Sequence, residues 1–146
     1  MGKGSNDSIY YKILLPIIFP NFKRIIFLDS DTLVFKDLSE MYNLDFNDNY
    51  ILGYPFHNPE LCDKFGVKMV TYINGGVLLI NIERIVYGNK DFGVLDFLIK
   101  NSGRLYFLEQ DAKNTYFNQH IGFLSLQYGI YLFGNFTVLQ NVWKYI

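Results

Sequence analysis

A chain of 146 residues fits one domain and can bury a substantial core. Half of its residues are apolar, with twelve Tyr and fourteen Phe, a composition that rules against disorder. The formal net charge of -1 singles out neither a nucleic-acid polyanion nor an anionic membrane as the main partner.

Cys62 stands alone, so no intrachain disulfide forms, and a reducing compartment is the simpler reading. Met1 to Ser8 lacks the apolar core of a signal peptide, and the run Ile13 to Phe19 is far too short to span a bilayer. A cytoplasmic protein, at most peripheral to a membrane, is expected. No repeat or linker-like shift divides residues 1–146, which read as one unit.

In chain order, residues 9–19 carry Ile9, Tyr10, Ile13, Leu14 and Ile17 at helical spacing, with Pro16 and Pro20 limiting the helix. Lys23 to Leu28 is a short apolar run that reads as a buried strand. Asp37, with Glu40 three positions on, is a helix-start signature. Residues 50–54 and 72–82 read as strands, 91–100 and 109–117 as helices, and 121–126 as a last strand. Strands alternating with helices argue for an α/β sheet covered on both faces, with ligands beyond the carboxyl ends of its strands.

One of those carboxyl ends carries acids. Asp29 and Asp31 follow the run Ile25-Ile26-Phe27-Leu28 directly. Two carboxylates at the tip of a buried strand are costly unless a cation or donors compensate. A divalent ion is the natural compensator, and oxygen ligands suit Mg²⁺ or Mn²⁺, which can in turn neutralise a diphosphate. Taken alone, the pair also fits two solvated aspartates opening a turn.

Asn74-Gly75-Gly76 places an amide and two residues without Cβ at the entrance of an apolar strand, open to a ligand or to a β-bulge. Asn81 suits a helix cap. Glu109-Gln110-Asp111 sits at a predicted helix start, where acids also complement the helix dipole. His57 and His120 read as surface or capping residues, and Cys62 as a buried hydrophobe.

The run from Tyr10-Tyr11-Lys12 through Pro16 and Phe19-Pro20 to Lys23–Val34, then Asp37-Leu38, resembles glycosyltransferase family 8, the glycogenin and lipopolysaccharide-galactosyltransferase group. There the block reads approximately Y-Y-R-L-x-x-P, L-P, K-x-L-Y-L-D-x-D-x-x-V and D-L. Asn74 to Asn81 resembles its N-[SAG]-G-V-x-L-I-N segment, and Glu109 to Asn114 its D-Q-D-x-x-N. The resemblance implies a Rossmann-like, nucleotide-sugar-binding sheet of GT-A type with helices on both faces, here incomplete. It implies retaining transfer of a hexose from UDP-glucose or UDP-galactose to a glycan or lipopolysaccharide hydroxyl, in cell-surface or polysaccharide synthesis.

Residue by residue, it implies that Asp29 and Asp31 hold Mn²⁺ or Mg²⁺ and that Lys12 and Ser30 lie against the nucleotide-sugar. Asn74 and Gly75 would line the sugar pocket. Gln110 would sit near the reacting carbon, beside Glu109, with Asp111 supporting the site and Asn114 bracing the turn. Lys12 stands where the family has Arg, and Glu109 where it has Asp. The family's late His-containing block, which supplies a third metal ligand, has no counterpart, and its opening strand precedes Met1. A parallel sheet without that strand would expose an apolar edge.

Two other readings accompany this one. The first is a binding module without turnover. The second is a haloacid-dehalogenase-type phosphatase, which also places D-x-D after an apolar strand but needs Thr32 one position later.

Overall fold

The computed structural model describes residues 10–56, 72–88, 91–125 and 128. Helix α1 spans Tyr11–Ile18, strand β1 Ile25–Leu28, helix α2 Ser39–Tyr42 and strand β2 Ile51–Pro55. Strand β3, Ile73–Ile80, is followed by helices α3 (Ile82–Tyr87), α4 (Asp91–Asn101) and α5 (Glu109–Tyr116). A 3-10 turn at Asn118–His120 leads into strand β4, Ile121–Phe123.

The four strands form one sheet in the order β1-β3-β2-β4. β2 and β4 run parallel, whereas β3 is antiparallel to both β1 and β2. The sheet is therefore mixed, where a parallel sheet was expected from the family resemblance. Period-two patterning does not register strand direction, because an apolar strand covered on both faces reads alike either way.

The faces of β3 divide the core by alternation. Leu78 and Ile80 pack with Ile13, Ile51, Ile85, Val94, Leu98 and Phe117, residues of β2, α1, α3, α4 and the end of α5. Leu79, its neighbour on the opposite face, packs with Met41, Phe46, Leu52 and Leu124 around α2. Helices thus cover both faces, and β3 is the strand on which both cores rest.

Pro16 lies inside α1 instead of limiting it. Lacking an N–H, it cannot bond the carbonyl of Lys12, but it is buried beside Ile13 against the sheet. Phe19 N bonds Leu15 O at 2.9 Å and closes the helix before Pro20. In a helix of eight residues the burial of the ring outweighs a single missing bond. Asn81 caps α3 as its position suggested, its side chain accepting from Arg84 N at 3.0 Å. Asp37 acts one residue earlier than a formal cap, its carboxylate accepting from the Ser39 backbone at 2.6 Å.

Leu78 has no solvent exposure and sits mid-strand in the larger core. Leu78→Ala is expected to lower unfolding free energy by about 2–5 kcal/mol, read from urea denaturation of the folded chain.

Candidate active site

The antiparallel register of β1 and β3 assembles the site. Leu28 pairs with Val77, so the carboxyl end of β1 meets the amino end of β3. One step further, Asp29 N donates to Gly76 O at 2.8 Å. The aspartate after the strand is thereby placed beside the Asn-Gly-Gly entrance, although some 45 residues separate them. Helix α5 docks on the same end. Asn114, fully buried, accepts from Ile73 N at 2.7 Å and donates to Ile73 O at 2.8 Å. The primary amide completes β3 as a neighbouring strand's peptide would, and it also donates to Gln110 O at 2.9 Å. It braces helix to strand rather than a turn alone.

Lys12, in the first turn of α1, closes the arrangement. Its ammonium lies 2.9 Å from Asp29 Oδ1, 3.4 Å from Glu109 Oε1 and 3.0 Å from Gly75 O. An ammonium has three N–H donors, and here three acceptors surround it. The Phe27 ring faces it, with its centroid at 4.9 Å. Lys12 thus joins Asp29, Gly75 and Glu109 in one polar cluster.

A Cβ at either glycine would crowd the polar atoms gathered there. A Cβ on Gly75 would lie 3.1 Å from Glu109 Oε1 and 3.4 Å from both Gln110 Oε1 and Lys12 Nζ. On Gly76 it would lie 2.9 Å from Asn74 Oδ1 and 3.2 Å from Asp29 Oδ2. The missing side chains make room for the site's own polar atoms.

Around the glycines, Gly75 N donates to Gln110 Oε1 at 2.9 Å and Gly76 N donates to Asn74 Oδ1 at 2.6 Å. Asn74 Nδ2 reaches Gln110 Oε1 at a long 3.5 Å, and Gln110 Nε2 donates to the Tyr72 hydroxyl at 3.3 Å. The Tyr72 hydroxyl in turn donates to Asp111 Oδ1. Asp111 Oδ2 accepts from Tyr106 N at 2.7 Å and Phe107 N at 2.8 Å. Asp111 has no exposure, so it pins the turn before α5 and does not face solvent. That turn includes Leu108 at φ 40°, a conformation that a branched side chain adopts only when its surroundings impose it.

The remaining predicted residues divide. Ser30 and Asp31 are exposed, in a turn closed by Thr32 N donating to Asp29 O at 3.0 Å. Asp31 makes no hydrogen bond or ion pair among the described residues. His120 is exposed and its Nδ1 lies 3.0 Å from Asp48 O, remote from the acid pair. His57 and Cys62 lie outside the described residues.

Sequence reasoning missed Tyr72 and Lys113. Lys113 Nζ lies 2.6 Å from Glu109 Oε2, with both side chains almost wholly buried. Its signal was readable: Glu followed by Lys at i,i+4 on one helix face. Burial holds the Lys113 ammonium below its usual pKa, against the raising influence of Glu109. Tyr72 gave no such signal, because an aromatic before an apolar strand is usually core.

The donor set at the strand tip suits a hard divalent ion. Asp29 Oδ1 is taken by Lys12, whereas Asp29 Oδ2 and the Asp31 carboxylate offer oxygens. Among the described residues no third His, Cys, Asp or Glu joins them. Mg²⁺-type ions are commonly held by one or two carboxylates, with water and phosphate completing the shell.

The sequence profile of Glycosyl transferase family 8 matches residues 2–144. The chain belongs to this family. A Haemophilus influenzae protein described as a glycosyltransferase is 24% identical over 112 residues, covering 73% of this chain and 34% of its own length. Galacturonosyltransferase 13 of Arabidopsis thaliana is 42% identical over 38 residues, 26% of this chain and 7% of the plant protein. The galactosyltransferase LgtC, solved with donor and acceptor sugar analogues, superposes at a TM-score of 0.74 with 20% identity, over 84% of this chain and 46% of LgtC. The glycosyltransferase GlyE of Streptococcus pneumoniae TIGR4 superposes at 0.71 with 22% identity, over all of this chain and 34% of GlyE.

The family 8 chain therefore has the GT-A glycosyltransferase fold and spans about a third of the Haemophilus relative's length. Family membership sets aside the phosphatase reading of its D-x-D. Among the described residues no helix is long and apolar enough to cross a membrane.

Asp111→Asn would turn an NH2 toward one of the donors that its carboxylate now accepts. It is expected to destabilise the chain by about 1–3 kcal/mol. Asp31→Asn, at an exposed position, is expected to stay within about 0.5 kcal/mol of the unaltered chain. Denaturant melts of the two variants side by side check both values.

Proposed function

We propose that this chain carries the donor site of an enzyme that transfers a hexose, glucose or galactose, from a UDP-sugar to a hydroxyl of a glycan or lipopolysaccharide acceptor. The observation that carries the reading is the Lys12 ammonium between Asp29, Gly75 O and Glu109, which draws three separate family segments into one polar pocket. The donor and acceptor sugar analogues bound to LgtC support a sugar-nucleotide and a glycan as the partners. A cytoplasmic site of action, at most at a membrane surface, accords with the composition.

In this reading Asp29 and Asp31 would hold Mn²⁺ or Mg²⁺. When bound, such an ion neutralises the diphosphate and makes it a better leaving group. Lys12 holds Asp29 in place through their ion pair, and its charge lies on the side from which a diphosphate would approach. The exposed Ser30 turn lies against the nucleotide. Asn74 and Gly75 line the hexose site, with Glu109 and Gln110 beside them. Gln110, fixed through Oε1 by Gly75 N and through Nε2 by Tyr72, is the residue set nearest the anomeric carbon. There the bond from C1 to the diphosphate oxygen breaks with its electron pair leaving on UDP, as an oxocarbenium-like C1 accepts the acceptor oxygen, whose proton passes to the departing diphosphate. Retention at C1 is part of the proposal and follows the family resemblance.

Titration calorimetry with UDP and Mn²⁺, followed by assay of UDP release from UDP-glucose and UDP-galactose, tests the reading. Asp31→Asn is expected to weaken Mn²⁺-dependent UDP binding by at least about tenfold, with unaltered stability. UDP binding that ignores both Mn²⁺ and Asp31 would refute the metal assignment. Binding without turnover would leave a donor-binding module.

A further inference from the structure

Behind the pocket, Glu109 lies between two lysines. Its Oε1 is 3.4 Å from Lys12, and its Oε2 is 2.6 Å from Lys113. The order Asp29, Lys12, Glu109, Lys113 alternates in sign and runs inward from the half-exposed strand tip to the interior of α5. Lys113 is 3% exposed and Glu109 6% along their side chains, and among the described residues neither Lys113 Nζ nor Glu109 Oε2 has a hydrogen-bond partner beyond this contact. The space beside the Lys113 stem cannot stand in for Glu109. It is a cavity of about 10 Å³ walled largely by Ile13, Ile80, Val94 and Phe117, room for about one water with few polar partners.

An ammonium placed there serves no need of α5 itself, since an apolar residue would fill the same inward position without a desolvation cost. Its effect falls on Glu109. With Oε2 fixed from behind, the carboxylate can offer only Oε1 to the pocket, beside Gly75, where a Cβ would already lie within 3.1 Å of it. Removing the ammonium would leave a buried carboxylate with Lys12 as its sole counter-charge, free to rotate and draw Lys12 off Asp29.

We propose that Lys113 is a positioning residue that holds Glu109 with one oxygen toward the donor hexose, and so sets recognition of the sugar rather than of the nucleotide. This rests on the glycosyl-donor reading above. The buried anchor fixes where a hydroxyl of the hexose finds its acceptor, while the nucleotide and diphosphate meet the strand-tip side of the pocket.

The test compares the Mn²⁺-dependent affinities of UDP, UDP-glucose and UDP-galactose for the chain and for Lys113→Met, Lys113→Gln and Lys113→Arg. For Lys113→Met the affinity of the preferred UDP-hexose relative to UDP is expected to fall by about tenfold, with UDP itself within about twofold. Lys113→Arg, which keeps the charge, is expected to recover most of the ratio. Should Lys113→Met fail to fold, Lys113→Gln removes the charge while keeping a donor and is read in the same way. An unchanged ratio in a folded uncharged variant overturns the proposal, as does a parallel fall for UDP and UDP-hexose, which marks a purely structural role. Binding of neither ligand by the unaltered chain overturns the glycosyl-donor reading and the role of Lys113 with it.

Discussion

The site depends on one ammonium group held among oxygens. Lys12 is mostly buried, at 10% side-chain exposure, where an unpaired cation would be costly, and it is kept there by two carboxylates and a peptide carbonyl. Each acceptor comes from a different part of the chain. Asp29 ends β1, Gly75 opens β3 and Glu109 opens α5, so satisfying Lys12 requires all three elements to be docked at once. The charge that prepares the pocket also checks that it has been assembled.

That assembly is possible because β3 runs against its neighbours. In a fully parallel sheet the amino end of the glycine-bearing strand would lie at the far edge from Asp29. Reversal brings Asn74-Gly75-Gly76 to the edge where β1 ends, and the bond from Asp29 N to Gly76 O fixes the junction. Asn114 performs the matching task for α5. By pairing with both backbone groups of Ile73 it satisfies the last strand peptide before the site, and it sets helix against strand without a flexible intermediary. Asp111 and Tyr72 extend the same logic to the turn at Leu108, where three donors on one carboxylate hold a backbone that would otherwise relax.

Much of this was legible in the residues. The strands ending at Leu28 and Ile80 follow from short apolar runs with β-branched residues, and the helix at Glu109 from its acidic first turn. Direction was not legible, since Val77-Leu78-Leu79-Ile80 is apolar on both faces and carries no mark of which way it runs. Nor was the helix through Pro16, because the rule that proline breaks helices is local and its exception here is made by burial against the sheet. The segments that form the site were visible as motifs, but the glycines' task was not. Their freedom from Cβ looked like room for a ligand, and it is first of all room for Glu109, Gln110, Asn74 and Asp29. Exposed Asp31 and buried Asp111 look alike as letters, and only the fold separates an acid free to bind from one spent on three donors.

The two departures from the family motif are best understood together. Arg exceeds Lys by one heavy atom from Cα to its terminal nitrogen, and Glu exceeds Asp by one methylene. Lys12 facing Glu109 therefore spans the same gap as Arg facing Asp, with the point of contact moved toward α1. The shift has a chemical consequence. A guanidinium carries a planar fork that can serve an acid and a phosphate together, whereas the ammonium of Lys12 is already surrounded by three protein acceptors. The longer acid gains the reach to touch a second cation, and Lys113 lies at the i+4 position where that reach ends. Charge that a fork would have spread over the ligand side is drawn partly into the helix. Under the proposed donor reading, a diphosphate would accordingly depend more on an ion held by the strand-tip acids than on direct pairing with a basic side chain.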